Sequence, residues 1–108
     1  MSLIGVAYSK SGKRIRLTSE RWGHVIESHN YMAGQHHLVL ETVSDPEYIV
    51  SGGEDEFLAI KFFKDMNLGT KYIVVVYKEV NREGFIITAF MTSTIEKILR
   101  RGVTWQKQ

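Results

Sequence analysis

Lys71-Tyr72-Ile73-Val74-Val75-Val76-Tyr77-Lys78 is the stretch on which the fold turns. Its β-branched and aromatic side chains pack well on a pleated surface. A run that is apolar on both faces predicts a central strand. Asn81-Arg82-Glu83-Gly84 has turn composition and leads into Phe85 to Thr92, the next strand. Upstream, Glu56 to Phe63 alternates, with Leu58, Ile60 and Phe62 on one face and Phe57, Ala59, Lys61 and Phe63 on the other. Lys64 to Thr70 reads as the loop between these strands, around Asn67 and Gly69. Gly52-Gly53-Glu54-Asp55 turns back to a short strand from Glu47 to Ser51.

Toward the amino terminus, Leu3 to Tyr8 and Lys13 to Leu17 read as a hairpin about Ser9-Lys10-Ser11-Gly12. Thr18 or Ser19 then caps a helix, with Glu20 in its first turn. Trp22, Val25, Ile26 and His29 recur at the spacing of a buried helical stripe. Gln35 to Ser44 predicts a second helix, with Val39, Leu40 and Val43 inward. Asp45-Pro46 ends it, because the residue before proline leaves the α region. Ser93-Thr94-Ile95-Glu96 matches a capping box opening a short helix. Gly102 stops that helix, and Val103-Thr104-Trp105 closes the domain as an added strand. The expected fold is α+β: an amino-terminal hairpin and two helices packed on an antiparallel sheet of about four strands.

A chain of 108 residues with 44% hydrophobic content forms one domain with one real core. No apolar run approaches the roughly 20 residues of a membrane span. The start lacks the basic and apolar regions of a signal peptide, and there is no cysteine, so a cytoplasmic location is expected. Charge is unevenly spread. Residues 1–24 carry five basic groups against one acid, residues 25–56 seven acids and no Lys or Arg, and residues 57–108 nine basic groups against four acids. If the basic ends meet in space, one face attracts phosphate. Ordinary solvated faces are the plainer alternative.

Arg21-Trp22-Gly23-His24-Val25-Ile26-Glu27-Ser28-His29 carries the chemistry. Histidine both gives and takes a proton near neutrality. Metal-independent cleavage of RNA needs one group to deprotonate the 2′-hydroxyl, another to protonate the leaving oxygen, and donors on the phosphorane. Five residues apart on a helix, the two rings diverge by roughly 140°. At most one of the pair is then catalytic; His24 is freer to face a cleft and His29 edges the packed stripe. No His-x3-His pair occurs among His24, His29, His36 and His37, so neither a metal nor another cofactor is expected. His36-His37 reads as an exposed junction. Lys61, charged among apolar neighbours, is a candidate for phosphate, with edge protection as the alternative. Thr88 and Thr92 offer hydroxyls on the last long strand. Tyr31, Tyr72 and Tyr77 could stack on bases, and Arg100-Arg101 with Trp105 could form a platform, although core packing and a solvated helix end explain them equally.

The series Leu17-Thr18-Ser19-Glu20-Arg21-Trp22-Gly23-His24-Val25, His29, Glu41 to Ile49, Tyr72 to Val76, Phe85 to Phe90 and Trp105 resembles the phage Barnase–EndoU–colicin–RelE-like (PBECR) nuclease family in consistent order. The resemblance implies two helices leading into an antiparallel sheet and a metal-independent RNase, often a toxin or phage-borne effector. It implies His24 and His29 as the family's two histidines and Thr88 and Thr92 as its polar positions on the final strand, so that His24, His29 and Thr88 are the expected catalytic residues and Thr92 is expected to bind substrate. Arg21 and Lys61 join them as candidates for binding substrate.

The expected function is therefore an endoribonuclease-like domain acting on single-stranded RNA or tRNA, with an antitoxin or immunity protein as partner and no membrane. The alternative is a catalytically inactive RNA- or protein-binding module. A third reading is a structural or oligomerising domain.

Overall fold

The computed structural model describes residues 2–66 and 69–108. Its strands are β1 (Leu3–Tyr8), β2 (Arg14–Thr18), β3 (Tyr48–Gly53), β4 (Glu56–Met66), β5 (Gly69–Val80), β6 (Glu83–Thr92) and β7 (Val103–Gln106). Its helices are α1 (Ser19–Ser28), α2 (His36–Ser44) and α3 (Glu96–Leu99), with a 3-10 turn at Asn30–Met32. Among the described residues the seven strands form one sheet in the order β1-β2-β6-β5-β4-β3-β7.

This overturns the expected four-stranded antiparallel sheet. The hairpin is not a separate layer: β2 pairs parallel to β6, with Ile15 opposite Gly84. A two-stranded hairpin is marginal in water, and its bare edge offers unpaired backbone groups to the nearest strand. Gly84 permits the junction, because a Cβ there would collide with the Lys78 carbonyl and with Ile15 Cδ1. At the other margin β7 pairs antiparallel to β3.

The central strand is β5, flanked by β4 and β6 in antiparallel register. Ala59, Val75 and Ala89 share one cross-strand row, while Ile60, Val74 and Phe90 share the next. The first row belongs to the larger core, under Trp22 and Val25 of α1 and Val39 and Val43 of α2. The second belongs to a smaller core on the opposite face, covered by Ile95, Ile98 and Leu99. Each fully buried Val, Leu or Ile contributes about 1.5–3 kcal/mol relative to exposure, so both faces bear on stability.

Local signals place most elements. Thr18 caps α1, its hydroxyl accepting from the Arg21 amide at 3.2 Å. The capping box at Ser93 does not form: Ile95 is the residue before α3 and makes no side-chain cap. Ile95 is instead buried in the smaller core. β4 and β5 extend into the expected Lys64–Thr70 loop, as far as Met66 and from Gly69. Asn67, on which that loop was centred, lies outside the described residues.

The sheet curls around α2. Leu40 of α2 lies so close to Gly5 of β1 that a Cβ there would stand 2.6 Å from Leu40 Cδ1. Lys10, in the β1–β2 turn, reaches Trp105 of β7, from the opposite margin of the sheet.

Candidate functional site

The carboxyl end of α1 meets a bare margin of β6. The β2–β6 register ends at Arg16 opposite Phe85, so the outer side of β6 beyond it faces no strand among the described residues. The 3-10 turn covers part of this margin. The Met91 amide donates to the Tyr31 hydroxyl at 3.4 Å. Tyr31 Oη lies 3.1 Å from His29 Nδ1. The arrangement that gives each group one partner has Tyr31 accepting from Met91 and donating to Nδ1. Neutral His29 then carries its proton on Nε2.

The His29 ring packs 5.9 Å from the Phe90 ring, centroid to centroid. Thr88 and Thr92 flank Phe90 two residues away on either side, roughly 7 Å along the strand. They share its face, since Thr88 stands opposite Val76 and Thr92 opposite Tyr72, both packed on the smaller core. His29 therefore packs on the strand position midway between the two threonines. The Thr92 hydroxyl is already engaged, donating to the Thr94 carbonyl at 2.9 Å and accepting from the Thr94 amide at 3.2 Å.

Arg21 and His24 lie on the exposed face of α1, away from the buried Trp22 and Val25. Helical geometry places Arg21 and Ser28 on one side of His24 and Glu20 and Glu27 on the other. His36 and His37 are exposed at the start of α2, with His36 edge-on to Trp22 at 6.0 Å.

Lys61 is drawn elsewhere. It projects on the larger-core face, 9% exposed, and its ammonium donates to the Asp45 carbonyl and Oδ2, both at 3.0 Å. Glu47 lies at 3.8 Å and Glu41 at 4.0 Å. Burial alone would lower the Lys61 pKa, but the Asp45 hydrogen bond and the charges of Asp45, Glu47 and Glu41 outweigh it and hold it above its ordinary value. Hydrogen bonds from Lys61 and then Lys107 hold the Asp45 carboxyl below its ordinary value. Carboxylates of the acidic middle segment thus occupy the cation expected to face phosphate. Through Ile73, Lys61 stands two strands from Met91, about 10 Å away.

The six expected positions therefore do not form one cleft. A cavity of about 250 Å³ lies between the β1–β2 turn and the sheet, and of its lining only Tyr77 and Trp105 were singled out above. Its walls include Ile49, Phe57, Tyr77 and Trp105, with Glu79 and Lys10 at its polar end. Phe57 stacks on Tyr77 at 5.6 Å. Glu79 is buried, and its Oε2 accepts from the Ser9 and Ser11 hydroxyls at 2.7 Å each. Lys13 lies 3.7 Å from Oε1. Glu79 follows Lys78 and lies beyond the strand expected to end there, so no apolar setting marked it in the sequence.

No helix of the described residues is long and apolar enough to cross a membrane. Comparison with known protein families, with curated proteins and with solved structures finds no match for this chain.

Proposed function

We propose that this chain is an RNA-binding module, holding single-stranded RNA where α1 meets the bare margin of β6. The observation that carries the proposal is the path from the Met91 amide through Tyr31 to His29 Nδ1. It leaves the N–H of a half-buried imidazole on Nε2, a donor suited to a phosphate oxygen. Arg21 and His24 add donors along α1, and Tyr31, 37% exposed, offers a ring for stacking. Cleavage needs a base as well as an acid within reach of one phosphodiester. No second imidazole makes a contact beside His29 among the described residues and the expected cation is engaged by carboxylates, so binding without cleavage is the better reading. The PBECR resemblance supports RNA as the ligand, although the mixed sheet departs from the fold that it implies. The cytoplasm, where single-stranded RNA is met, is the location that goes with this proposal.

One observation favours a second reading, endoribonuclease activity through His29: its ring meets Phe90 between Thr88 and Thr92. In that case an antitoxin or immunity protein is the partner to seek.

One experiment separates the two. Labelled single-stranded RNA and tRNA are incubated with the protein in EDTA across a salt series, and both retention and cleavage are followed. Binding predicts intact RNA, with log affinity falling against log salt by about 0.7 per phosphate contacted. Cleavage lost in His29→Ala would establish the second reading. Absence of retention and cleavage at low salt would overturn both.

A further inference from the structure

We propose that the open sheet face of β1 and β2 beside β6 carries a second RNA contact, where Arg14 and Arg16 take phosphates and Tyr8 stacks on a base. The inference rests on the reading of this chain as an RNA-binding module and extends the bound strand beyond the His29 margin.

The face follows from the register. Ala7 and Ile15 point into the larger core. Strand alternation therefore turns Val6, Tyr8, Arg14 and Arg16 to the opposite face. Two cross-strand rows result. Tyr8 stands opposite Arg14, which stands opposite Glu83; Val6 stands opposite Arg16, which stands opposite Phe85. The arginines of β2 thus lie between an aromatic ring of β1 and one of β6. The smaller core, with α3 over it, includes no residue of β1 or β2 among the described residues. Tyr8 is 60% exposed.

The charge on this face is not cancelled. Arg14 and Arg16 share a single oxygen, Glu83 Oε1, at 3.3 and 2.9 Å. Two guanidiniums against one carboxylate leave a net positive charge. Each guanidinium has five N–H donors, and Glu83 takes one from each. Lys61 differs, being nearly buried among three carboxylates. A phosphate alone would use only the guanidiniums. The exposed ring beside them fits a base as well, and rings interleaved with cations are a mode by which single-stranded RNA is held.

The face is continuous with the His29 margin. The β2–β6 ladder ends at Arg16 opposite Phe85, where the bare margin of β6 begins. Phe85, Thr88 and Phe90 stand opposite Lys78, Val76 and Val74 and so share one face. Phe85 lies about 16 Å along the strand from Phe90, a length of about five stacked nucleotides. His29 packs on Phe90 at the far end.

Fluorescence anisotropy with a labelled oligouridylate across a salt series tests the inference. Arg14→Gln and Arg16→Gln should each weaken binding by roughly three- to ten-fold at low salt and lower the slope of log affinity against log salt by about 0.7. Tyr8→Ala should weaken it by about five-fold or more with the slope unchanged, since a base stack neutralises no phosphate. None of the three side chains is buried, so the fold is retained. Loss in these variants with His29→Ala unaffected keeps the inference and ends the reading at His29. Wild-type affinity and slope in the double variant Arg14→Gln, Arg16→Gln overturns the inference while the His29 reading stands. No binding by the wild type at low salt overturns both.

Discussion

Tyr31 holds His29 by a 3.1 Å hydrogen bond to Nδ1 while accepting the Met91 amide at 3.4 Å. A helix end, a 3-10 turn and a strand margin are joined through one hydroxyl. The bond orients the imidazole and leaves Nε2 as its donor. Tyr31→Phe removes the hydroxyl and keeps the ring. Nitrogen-15 NMR of the imidazole should show neutral His29 as the Nε2–H tautomer in the wild type and a tautomer mixture in Tyr31→Phe. An unchanged tautomer in the variant would mean that Tyr31 does not orient the ring.

Lys61 stabilises the junction of α2, β3 and β4. Its carboxylate partners are 32–49% exposed, which places the network between surface pairs and buried ones. Lys61→Ala should therefore cost about 1–2 kcal/mol in urea denaturation by leaving Asp45, Glu47 and Glu41 to repel one another. RNA retention should be unchanged. A large loss of RNA binding in a folded Lys61→Ala protein would restore Lys61 as a substrate contact.

The same network sets a response to acid. Asp45 titrates lower in the folded chain than its ordinary 3.8. Its stabilisation is thus present above pH 3.8 and is lost as pH falls through the folded value. Asp45→Asn should flatten this part of the stability profile below about pH 4. Denaturation followed by circular dichroism between pH 2 and 6, roughly spanning that window, measures it.

A different group governs alkaline behaviour. Burial, and then the charge of Glu79, pushes the Tyr77 hydroxyl above its ordinary 10.0. Folded Tyr77 stays protonated where the unfolded chain ionises, so stability declines as pH rises above 10.0. Tyr77→Phe should remove that component. An identical alkaline decline in wild type and variant would assign it elsewhere, Lys61 being the next candidate because its pKa is also raised.

Gly84 tests the feature that the sequence hid. Gly84→Ala forces a methyl against the Lys78 carbonyl and Ile15 Cδ1, where β2, β6 and β5 meet. Overpacking of this kind costs about 1–3 kcal/mol, and contact with backbone leaves little room to relax. Urea unfolding should show a loss in that range or above it. No loss would contradict the parallel pairing of β2 with β6.

Legibility followed the range of the interaction. The alternation at Phe57 to Phe63 and the apolar run at Ile73 to Val76 report short-range geometry, and both appear in β4 and β5 as expected. The β2–β6 pairing joins residues nearly 70 positions apart, and no local pattern encodes it. At Ser93 the local motif lost to burial of Ile95. The face of Lys61 was readable from alternation, but its carboxylate partners came from α2 and the segment between α2 and β3. The cavity escaped because Lys10, Glu79 and Trp105 meet only when the sheet curls.

RNA held on the His29 margin without being cleaved is the central expectation. Its most direct measurement is backbone and imidazole NMR during titration with a short single-stranded RNA in EDTA. The predicted result is saturable shifts at His29, Tyr31, Thr88 and Met91, with the RNA recovered whole. Saturation without shifts at these four residues, or no saturation at low salt, would contradict the account.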